Sequence, residues 1–352
     1  ALRGKAELDV QDSTLAGVPL QATLRADGAA AGWSIDAKAG AANNKLALQG
    51  LLAARADGDR WRADIDAPTL AALRPLVTAL APRAGLDGLD GAASGQVQVT
   101  GRWPTVRTSG TLRGNALRAG PFSAAQFNAQ WQAAPERDAP LSLKIDGQRV
   151  ARGEASFDTL RAAVDGTLAA HRIDIDGTSA LRPPAWTDAV LGANSKSGSA
   201  LKLRGDGSWR ADAKGGGEWR ARFAELDARG SGAAQAWLAA RNADVRLSLD
   251  AQGRVTAAQA EPGSATVLGA ALTWREARWQ AATPQRATQI ALDAQLEPLA
   301  VAPWLRRYRP EAGFGGDLTV KGRAVVSNGS AFGADVVLER SSGDLTLTSD
   351  GV

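Results

Sequence analysis

Apolar and polar residues alternate along most of the chain, with a period of two. In the segment 61–66, for example, Trp61, Ala63 and Ile65 alternate with Arg62, Asp64 and Asp66. Successive side chains of a β-strand point to opposite faces, so this period gives each strand one apolar and one polar face. Antiparallel sheets tolerate such strands better than buried parallel sheets do. The larger apolar residues that follow the period are Trp61, Ile65, Val97, Val99, Phe127, Trp131, Leu143, Ile145, Ile173, Ile175, Val245, Leu247, Leu249, Ile290, Leu292, Leu345 and Leu347.

Short segments rich in glycine, aspartate, asparagine and serine separate the alternating runs and predict turns between strands. At roughly 12 to 14 residues per strand and turn, the chain has room for about 25 strands. A single open sheet rarely exceeds about ten strands without curling or splitting, so we expect stacked sheets, several domains or a folded-over sheet. The predicted turns are Ala26–Gly28, Ala56–Arg60, Gly205–Ser208, Lys214–Gly217, Ser327–Ser330 and Ser342–Asp344.

Few segments have helical periodicity. The clearest is Pro68–Ala84, in which Leu70, Leu73, Leu76, Val77 and Leu80 form an apolar stripe, although two prolines interrupt it. We expect this to be the longest helix, laid against the apolar face of one elongated sheet. Shorter helices are predicted at Pro184–Leu191 and Pro298–Tyr308.

Composition excludes several classes of chemistry. The 352 residues include no Cys and one His, so disulfides, thiolate catalysis, Cys-based zinc sites and iron–sulfur clusters are excluded. Acidic residues form no cluster at metal-ligand spacing, and we expect no catalytic centre, metal or cofactor. No run approaches 18 consecutive apolar residues, the minimum for a membrane-spanning helix. The chain contains no Met, even at position 1, and is therefore expected to be an internal or processed piece of a longer protein.

The net charge is +4, and basic residues alternate with acidic ones instead of forming runs. A dispersed charge of this kind gives no phosphate-binding stripe, so nucleic acid is not an expected partner.

Three local patterns are interpreted as structural. Ser199 and Lys202 match an S-x-x-K motif, but the alternating segment places them on opposite faces of a strand. His171 begins a strand and is expected on the surface. Asp174 and Asp176 share one face of that strand and are interpreted as a solvated face without calcium-binding spacing.

Two segments share a weak internal repeat, namely Asp66–Arg102 and Leu296–Arg323. Each contains a strand, a proline, a short apolar helix, a glycine-rich bend and an alternating strand that ends in Gly-Arg. Together with the segment Gly333–Gly351 ("GADVVLERSSGDLTLTSDG"), these units resemble the middle region of proteobacterial TamB-like chains in the AsmA-like superfamily. The resemblance spans essentially the whole sequence through loose patterns.

This resemblance implies a β-sheet bent into a taco-like trough with an apolar interior, formed by residues 1–352 as one elongated segment. It implies a periplasmic parent, tethered to the inner membrane by an anchor outside this sequence, that moves phospholipid towards the outer membrane. An outer-membrane barrel similar to TamA is the implied protein partner, through the missing part of the parent, with a role in assembling outer-membrane proteins.

On this interpretation, the larger apolar residues that follow the period of two, from Trp61 to Leu347, line a groove for phospholipid acyl chains. The alternative is a structural or adhesive β-solenoid or stalk with a closed dry core. The 11 Trp residues fit both readings, because groove lining and core packing need the same residue types. An enzyme is the least favoured class.

Overall fold

The structure is a computed structural model that describes residues 3–82, 85–102, 105–153, 155–179, 198–213, 215–230, 236–284, 286–308, 313–328 and 332–347. The strands are β1 Arg3–Leu15, β2 Val18–Ala29, β3 Gly32–Ala41, β4 Asn44–Ala53, β5 Arg60–Ala67, β6 Asp90–Thr100, β7 Arg107–Ala119, β8 Phe122–Ala133, β9 Pro140–Arg152, β10 Ala155–Thr167, β11 His171–Ser179, β12 Ser199–Ala211, β13 Gly217–Gly230, β14 Ala236–Ala240, β15 Ala243–Leu249, β16 Val255–Ala260, β17 Gly263–Val267, β18 Ala270–Gln280, β19 Gln289–Ala300, β20 Phe314–Gly316, β21 Thr319–Asn328, β22 Phe332–Ser342 and β23 Leu345–Leu347. The helices are α1 Arg74–Leu80 and α2 Val301–Tyr308, and 3₁₀ turns span Ala56–Gly58 and Leu70–Leu73.

The prediction of an all-β chain built on antiparallel pairing is confirmed. The described residues contain 23 strands and two short α-helices. Residue contacts divide the chain into two compact units, Ala1–Leu168 and Ala169–Val352.

The first unit is an uninterrupted meander. Each of the strands β1–β10 pairs antiparallel with the next one in the sequence. This is the arrangement that short turns and period-two sequences favour. Because paired residues lie on the same face, the register determines which side chains share a surface.

The second unit starts with the antiparallel strands β11, β12 and β13. The first half of β13 pairs with β15 and its second half with β14. Strand β18 likewise pairs with β17 along one half and β16 along the other, before the sheet continues through β19, β21 and β22. Strands β20 and β23 form a separate two-stranded ladder.

The prediction of one long helix at Pro68–Ala84 is wrong. A 3₁₀ turn at Leu70–Leu73 precedes the 7-residue helix α1, and Pro75 lies in the first turn of α1, where its missing N–H is tolerated. The longer described helix is α2, with 8 residues. It begins three residues after the predicted start, because Pro298 belongs to the end of β19. The predicted helix Pro184–Leu191 lies outside the described residues.

Two of the predicted turns are also wrong, because the segments Ala26–Gly28 and Gly205–Ser208 lie inside β2 and β12. In both segments a glycine faces a large ring on the neighbouring strand. Gly28 is paired with Trp33, and Gly207 with His171. These glycines provide space for a ring and do not mark a reversal of the chain.

Candidate lipid-binding face

Two adjacent rows of apolar residues cross all ten strands of the first unit. Each row follows directly paired residues from β1 to β10, so its members lie on one face of the sheet. Row A consists of Leu8, Leu24, Ala37, Leu48, Ala63, Val97, Gly110, Trp131, Leu143 and Val164, and row B of Val10, Ala22, Ala39, Leu46, Ile65, Gly95, Leu112, Ala129, Ile145 and Ala162. Neither row contains a polar side chain, and together they form the centre of what we call the apolar face of the first unit.

The opposite face of the same strands is polar. The row that lies one residue away from row A consists of Glu7, Arg25, Asp36, Gln49, Arg62, Gln98, Ser109, Gln132, Ser142 and Asp165. The sheet therefore separates apolar from polar side chains across its full described width.

Much of the apolar face is only half-buried. Leu8 is 54% exposed and Leu46 is 44% exposed, although both lie in the central rows. The buried apolar residues of this unit lie towards the strand ends and in the segment that carries α1, as Ala67, Leu76 and Val150 do. The face thus differs from the interior of a closed sandwich, in which facing side chains interlock at about 10 Å between sheets.

Tryptophan rings lie against glycines of neighbouring strands on this face. The pairs Trp33–Gly28, Trp61–Gly50 and Trp131–Gly110 are directly opposed in the register. A Cβ atom at Gly110 would come within 2.7 Å of the Trp131 ring. The rings therefore pack over the backbone of the neighbouring strand and add aromatic surface to the apolar face.

The indole N–H groups of several tryptophans are satisfied within the protein. Trp131 donates to the Thr108 hydroxyl at 3.1 Å, and Trp274 donates to the Glu261 carbonyl at 2.7 Å. Because these donors are used internally, the rings present mainly apolar surface to anything above them.

The second unit has a corresponding apolar face. One of its rows crosses nine strands and contains a single polar residue, His171, at its first position. The row consists of His171, Gly207, Ala221, Val245, Ala260, Ala277, Leu292, Val326 and Ala334. Next to it, Leu247 lies between Trp219 and Ala258, while Ser248 lies on the polar face between Glu218 and Ala257.

The register places the predicted lining residues in three groups. Those of the first unit share its apolar face, namely Trp61, Ile65, Val97, Val99, Phe127, Trp131, Leu143 and Ile145. Those of the second unit that share its apolar face are Ile173, Ile175, Val245, Leu247, Leu249, Ile290 and Leu292. Leu345 and Leu347 are not brought to that face, because β23 pairs with β20 in the separate ladder.

Sequence reasoning missed the contribution of β1–β4 to the apolar face. Leu24 and Leu48 lie in the first half of row A, and Leu46 lies in row B. Alternation was present in these segments, but alanine and glycine occupy many of the apolar-face positions, so few large apolar side chains mark the period there.

The expectation of a surface His171 is wrong. The residue is 7% exposed and lies on the apolar face, opposite Gly207. The Trp219 indole N–H donates to its Nε2 at 3.0 Å, so that nitrogen acts as an acceptor. The side chain fits there because Gly207 leaves the space that a Cβ would fill.

Charged side chains on the polar face of the second unit form cross-strand pairs. Arg204 lies within 3.2 Å of Asp174, 3.7 Å of Asp176 and 3.4 Å of Glu225. Asp174 and Asp176 thus serve as partners of an arginine on the half-exposed polar face. Ser199 and Lys202 lie on opposite faces of β12, as predicted, since Ser199 pairs with Ser179 and Lys202 with Asp176.

One carboxylate is almost fully enclosed. Asp59 is 1% exposed and accepts hydrogen bonds from the Arg102 guanidinium and, at 2.8 Å, from the Ala53 N–H. The hydrogen bonds from Arg102 lower the pKa of Asp59 below its ordinary value of 3.8, against the opposing effect of burial. The pair joins the loop between β4 and β5 to the residues that follow β6. We assign it a structural role.

The first unit contains an open depression of about 570 Å³ over β1–β5. Row B residues such as Leu46 and Ile65 line it together with charged residues of the neighbouring positions, namely Lys38, Lys45, Asp64 and Asp66. Charges of both signs line it, so it has no single electrostatic preference.

Within the described residues, no group of three or more His, Cys, Asp or Glu side chains is placed to hold a metal ion. In the same part of the chain, no helix combines the length and apolar character needed to cross a bilayer. Comparison with known proteins gives no matching family model, no matching curated protein and no matching solved structure.

Proposed function

We propose that the apolar face binds phospholipid acyl chains, and that the chain is a periplasmic segment of a bridge-like lipid-transfer protein. The observation that carries this proposal is the pair of rows A and B, which are apolar at every position across ten strands and remain partly open. Acyl chains need a continuous apolar lining without directional contacts, and these rows supply one.

The dimensions support this assignment. Ten strands at a spacing of about 4.8 Å extend for roughly 45 Å. The acyl region of one bilayer leaflet is about 15 Å thick, half of the 30 Å hydrocarbon core. Several lipids in a row therefore fit along the face of the first unit. A small-molecule pocket would instead combine an enclosed cavity with a few convergent polar groups.

The lining also supports a path that holds lipid weakly. Rows A and B contain only aliphatic side chains, glycine and one tryptophan, and their contacts with an acyl chain are non-directional. An acyl chain that slides along the rows exchanges one apolar contact for another. No position therefore requires a strong interaction to be broken.

The cellular setting belongs to the same proposal and rests on the resemblance to TamB-like chains. We place the segment in the periplasm, within a parent tethered to the inner membrane. The proposed route leads to the outer membrane, where a barrel similar to TamA contacts a part of the parent outside this sequence. Support for the assembly of outer-membrane proteins is a secondary role of the same assembly.

Photo-crosslinking at two adjacent positions of β15 tests the proposal. Leu247 lies on the apolar face and Ser248 on the polar face of the same strand. With a photoreactive amino acid at 247, the protein in cells should capture phospholipid, detected by mass spectrometry of the crosslinked adduct. The same residue at 248 is the matched control and should capture little.

Native mass spectrometry and lipid extraction of the purified chain provide the second measurement. Phospholipid that copurifies and is captured at 247 but not at 248 supports the proposal. Equal capture at both positions, or none at either in a folded protein, contradicts it. The absence of lipid capture at both positions is the result expected of a structural stalk with a dry core.

A further inference from the structure

The strands of the first unit have two different ends. We call the end with the loops β2–β3, β4–β5, β6–β7 and β8–β9 the aromatic end of this unit. Trp33 and Trp61 are the second residues of β3 and β5, and Trp131 is the third residue from the end of β8. All three rings lie on the apolar face, so the tryptophans described in this unit collect at one end of that face.

The opposite end of the first unit holds its internal packing. The buried apolar residues described in this unit lie near that end or in the segment between β5 and β6 that contains α1. They are Val18, Ala67, Leu76, Leu89, Ala124 and Val150. At the aromatic end, by contrast, Leu52 lies opposite Trp33 and is 39% exposed. Packing and aromatic surface are thus separated along the strands.

The second unit repeats this arrangement. Its aromatic end is the one with the loops β12–β13, β15–β16 and β18–β19. One row of directly paired residues near that end contains three tryptophans and no polar side chain. The row consists of Trp209, Trp219, Leu247, Ala258, Trp279 and Ile290. Trp279 and Ile290 are 36% and 43% exposed, whereas the buried cluster of this unit, which includes Phe223 and Ala240, lies towards the turn between β14 and β15.

Four tryptophans at the aromatic ends keep an available donor. Among the residues that the structure describes, no acceptor takes a hydrogen bond from the indole N–H of Trp33, Trp61, Trp209 or Trp279. An indole ring has an apolar body and one polar N–H, and such rings collect where an apolar phase meets a polar one. These four side chains therefore have the properties of an interfacial belt.

Tryptophans that lie away from the aromatic ends use their N–H groups internally. Trp274 and Trp304 donate to the carbonyls of Glu261 and Leu268 at 2.7 and 3.0 Å. At the aromatic ends, only Trp131 and Trp219 among the described residues have a protein acceptor. The available donors are therefore concentrated at one end of each apolar face.

We propose that phospholipids lie along the strands of each unit, with the headgroup at the aromatic end and the acyl chains directed away from it. The available indole N–H groups donate to phosphate or ester oxygens of the headgroup region, and hydrogen bonds to a charged acceptor such as phosphate are the stronger kind. This inference rests on the proposed function, since it assigns the orientation of the same ligand.

The length of the strands agrees with this orientation. In β4, Leu52 at the aromatic end and Leu46 in row B are six residues apart, roughly 20 Å at about 3.3 Å per residue. The acyl region of one leaflet is about 15 Å thick. An acyl chain that starts at the aromatic end therefore ends near row B. In the reverse orientation a polar headgroup would lie beside the buried apolar residues, where its desolvation is unfavourable.

Single cysteines in β4 test the orientation, since the chain contains no cysteine. Leu52→Cys and Leu46→Cys lie on the apolar face and each carry a thiol-linked fluorophore. Each protein is loaded with phosphatidylcholine that bears a nitroxide quencher either on the headgroup or near the acyl terminus. The headgroup nitroxide should quench position 52 at least twofold more than position 46, and the acyl nitroxide should do the reverse. Gln49→Cys, on the polar face, is the control and should be quenched little by either lipid.

The outcomes separate this inference from the proposed function. Equal quenching of positions 52 and 46 by each lipid, or the reversed preference, overturns the orientation and leaves lipid binding intact. A folded protein in which neither lipid quenches any position overturns the proposed function and this inference with it.

Removal of the indole donors is the second measurement. Trp33→Phe combined with Trp61→Phe keeps an aromatic ring at both positions but removes both N–H groups. This double variant should reduce the preference of the headgroup nitroxide for position 52 at least twofold. Trp304→Phe, in α2, is the control for the substitution itself and should leave the preference unchanged. An unchanged preference in the double variant overturns the assignment of the headgroup to these donors.

Discussion

At the scale of single residues, contacts between an aromatic ring and a glycine shape the apolar face. Gly110 in β7 lies between Val97 and Trp131 in row A. Without a side chain at 110, the indole lies over the backbone and its N–H reaches Thr108. The glycine is thus a packing partner of the ring, which explains its position in the interior of a strand.

Replacing this glycine should disturb both the ring and the neighbouring strand. A Cβ at Gly110 would lie 2.5 Å from the Gln96 carbonyl oxygen and 2.7 Å from the Trp131 ring, so Gly110→Val should reduce the free energy of unfolding by about 1 to 3 kcal/mol, a typical cost of overpacking. Chemical denaturation followed by tryptophan fluorescence measures the change. Gly333→Val is the matched control, because its nearest neighbour would be an ordinary 3.6 Å away. Equal effects of the two substitutions would contradict this account of Gly110.

The Asp59–Arg102 pair acts at the same scale. Because the pKa of Asp59 is lowered in the folded state, its charge contributes stability in full above the ordinary value of 3.8. That contribution is lost as the pH falls through the lowered pKa. Asp59→Asn should therefore lower the thermal midpoint at pH 7, and the gap to the unmodified chain should narrow below about pH 4.

Melting curves recorded between pH 7 and pH 3 check this expectation. Asp27→Asn is the control, since Asp27 forms an exposed pair with Lys5 at 3.5 Å and should change the midpoint little. A gap between Asp59→Asn and the unmodified chain that stays constant down to pH 3 would disprove the role assigned to the Asp59 charge.

At the scale of elements, one buried side chain fastens the helical segment to the sheet. Asn44 begins β4, and its Nδ2 donates to the carbonyls of Ala41, Ala42 and Thr69 at 3.0 to 3.1 Å. Its Oδ1 accepts the Thr69 N–H at 3.0 Å. The turn between β3 and β4 is thereby joined to the start of the segment that contains α1.

Loss of this amide should loosen the helix more than the sheet. Asn44→Ala leaves buried carbonyl and N–H groups without partners, at about 1 to 3 kcal/mol. Asn44→Asp should be at least as harmful, because a carboxylate would face three carbonyl oxygens. Hydrogen exchange should become faster in residues 69–80 than in β8 or β9. Asn128→Ala, on the exposed polar face of β8, is the control, and similar exchange in both variants would refute the fastening role.

At the scale of the whole molecule, the separation of the two faces should decide where a charge is tolerated. Leu48 and Gln49 are neighbours in β4, but Leu48 lies in row A and Gln49 on the polar face. A charge in an acyl path costs on the order of a few kcal/mol unless the side chain can reach water. Leu48→Arg should therefore reduce copurified phospholipid by half or more, while Gln49→Arg leaves it unchanged.

Lipid extraction, with circular dichroism to confirm folding, measures this difference. A folded Leu48→Arg variant that retains normal lipid would argue against acyl contact at row A. If the unmodified chain and both variants fold but none of them carries lipid, the result would argue against the proposed function itself.

The sequence by itself determined the class of the fold. Alternation in segments such as Trp61–Asp66 and Leu141–Asp146 correctly predicted β5 and β9, because an apolar period of two needs no distant information. It also determined that Leu247 and Ser248 lie on opposite faces of β15, since adjacent residues of a strand always do. The absence of cysteine and the single histidine likewise excluded whole classes of chemistry.

Only the tertiary structure decided which strands stand side by side and what lies opposite each residue. Gly28 and Gly207 suggested turns, yet they lie within strands because Trp33 and His171 occupy the space above them. His171 is buried because Gly207, directly opposite it, leaves room for its ring. Pairing between strands is set by register, and register depends on residues far apart in the sequence. For that reason the apolar rows emerged only once the strands were assembled.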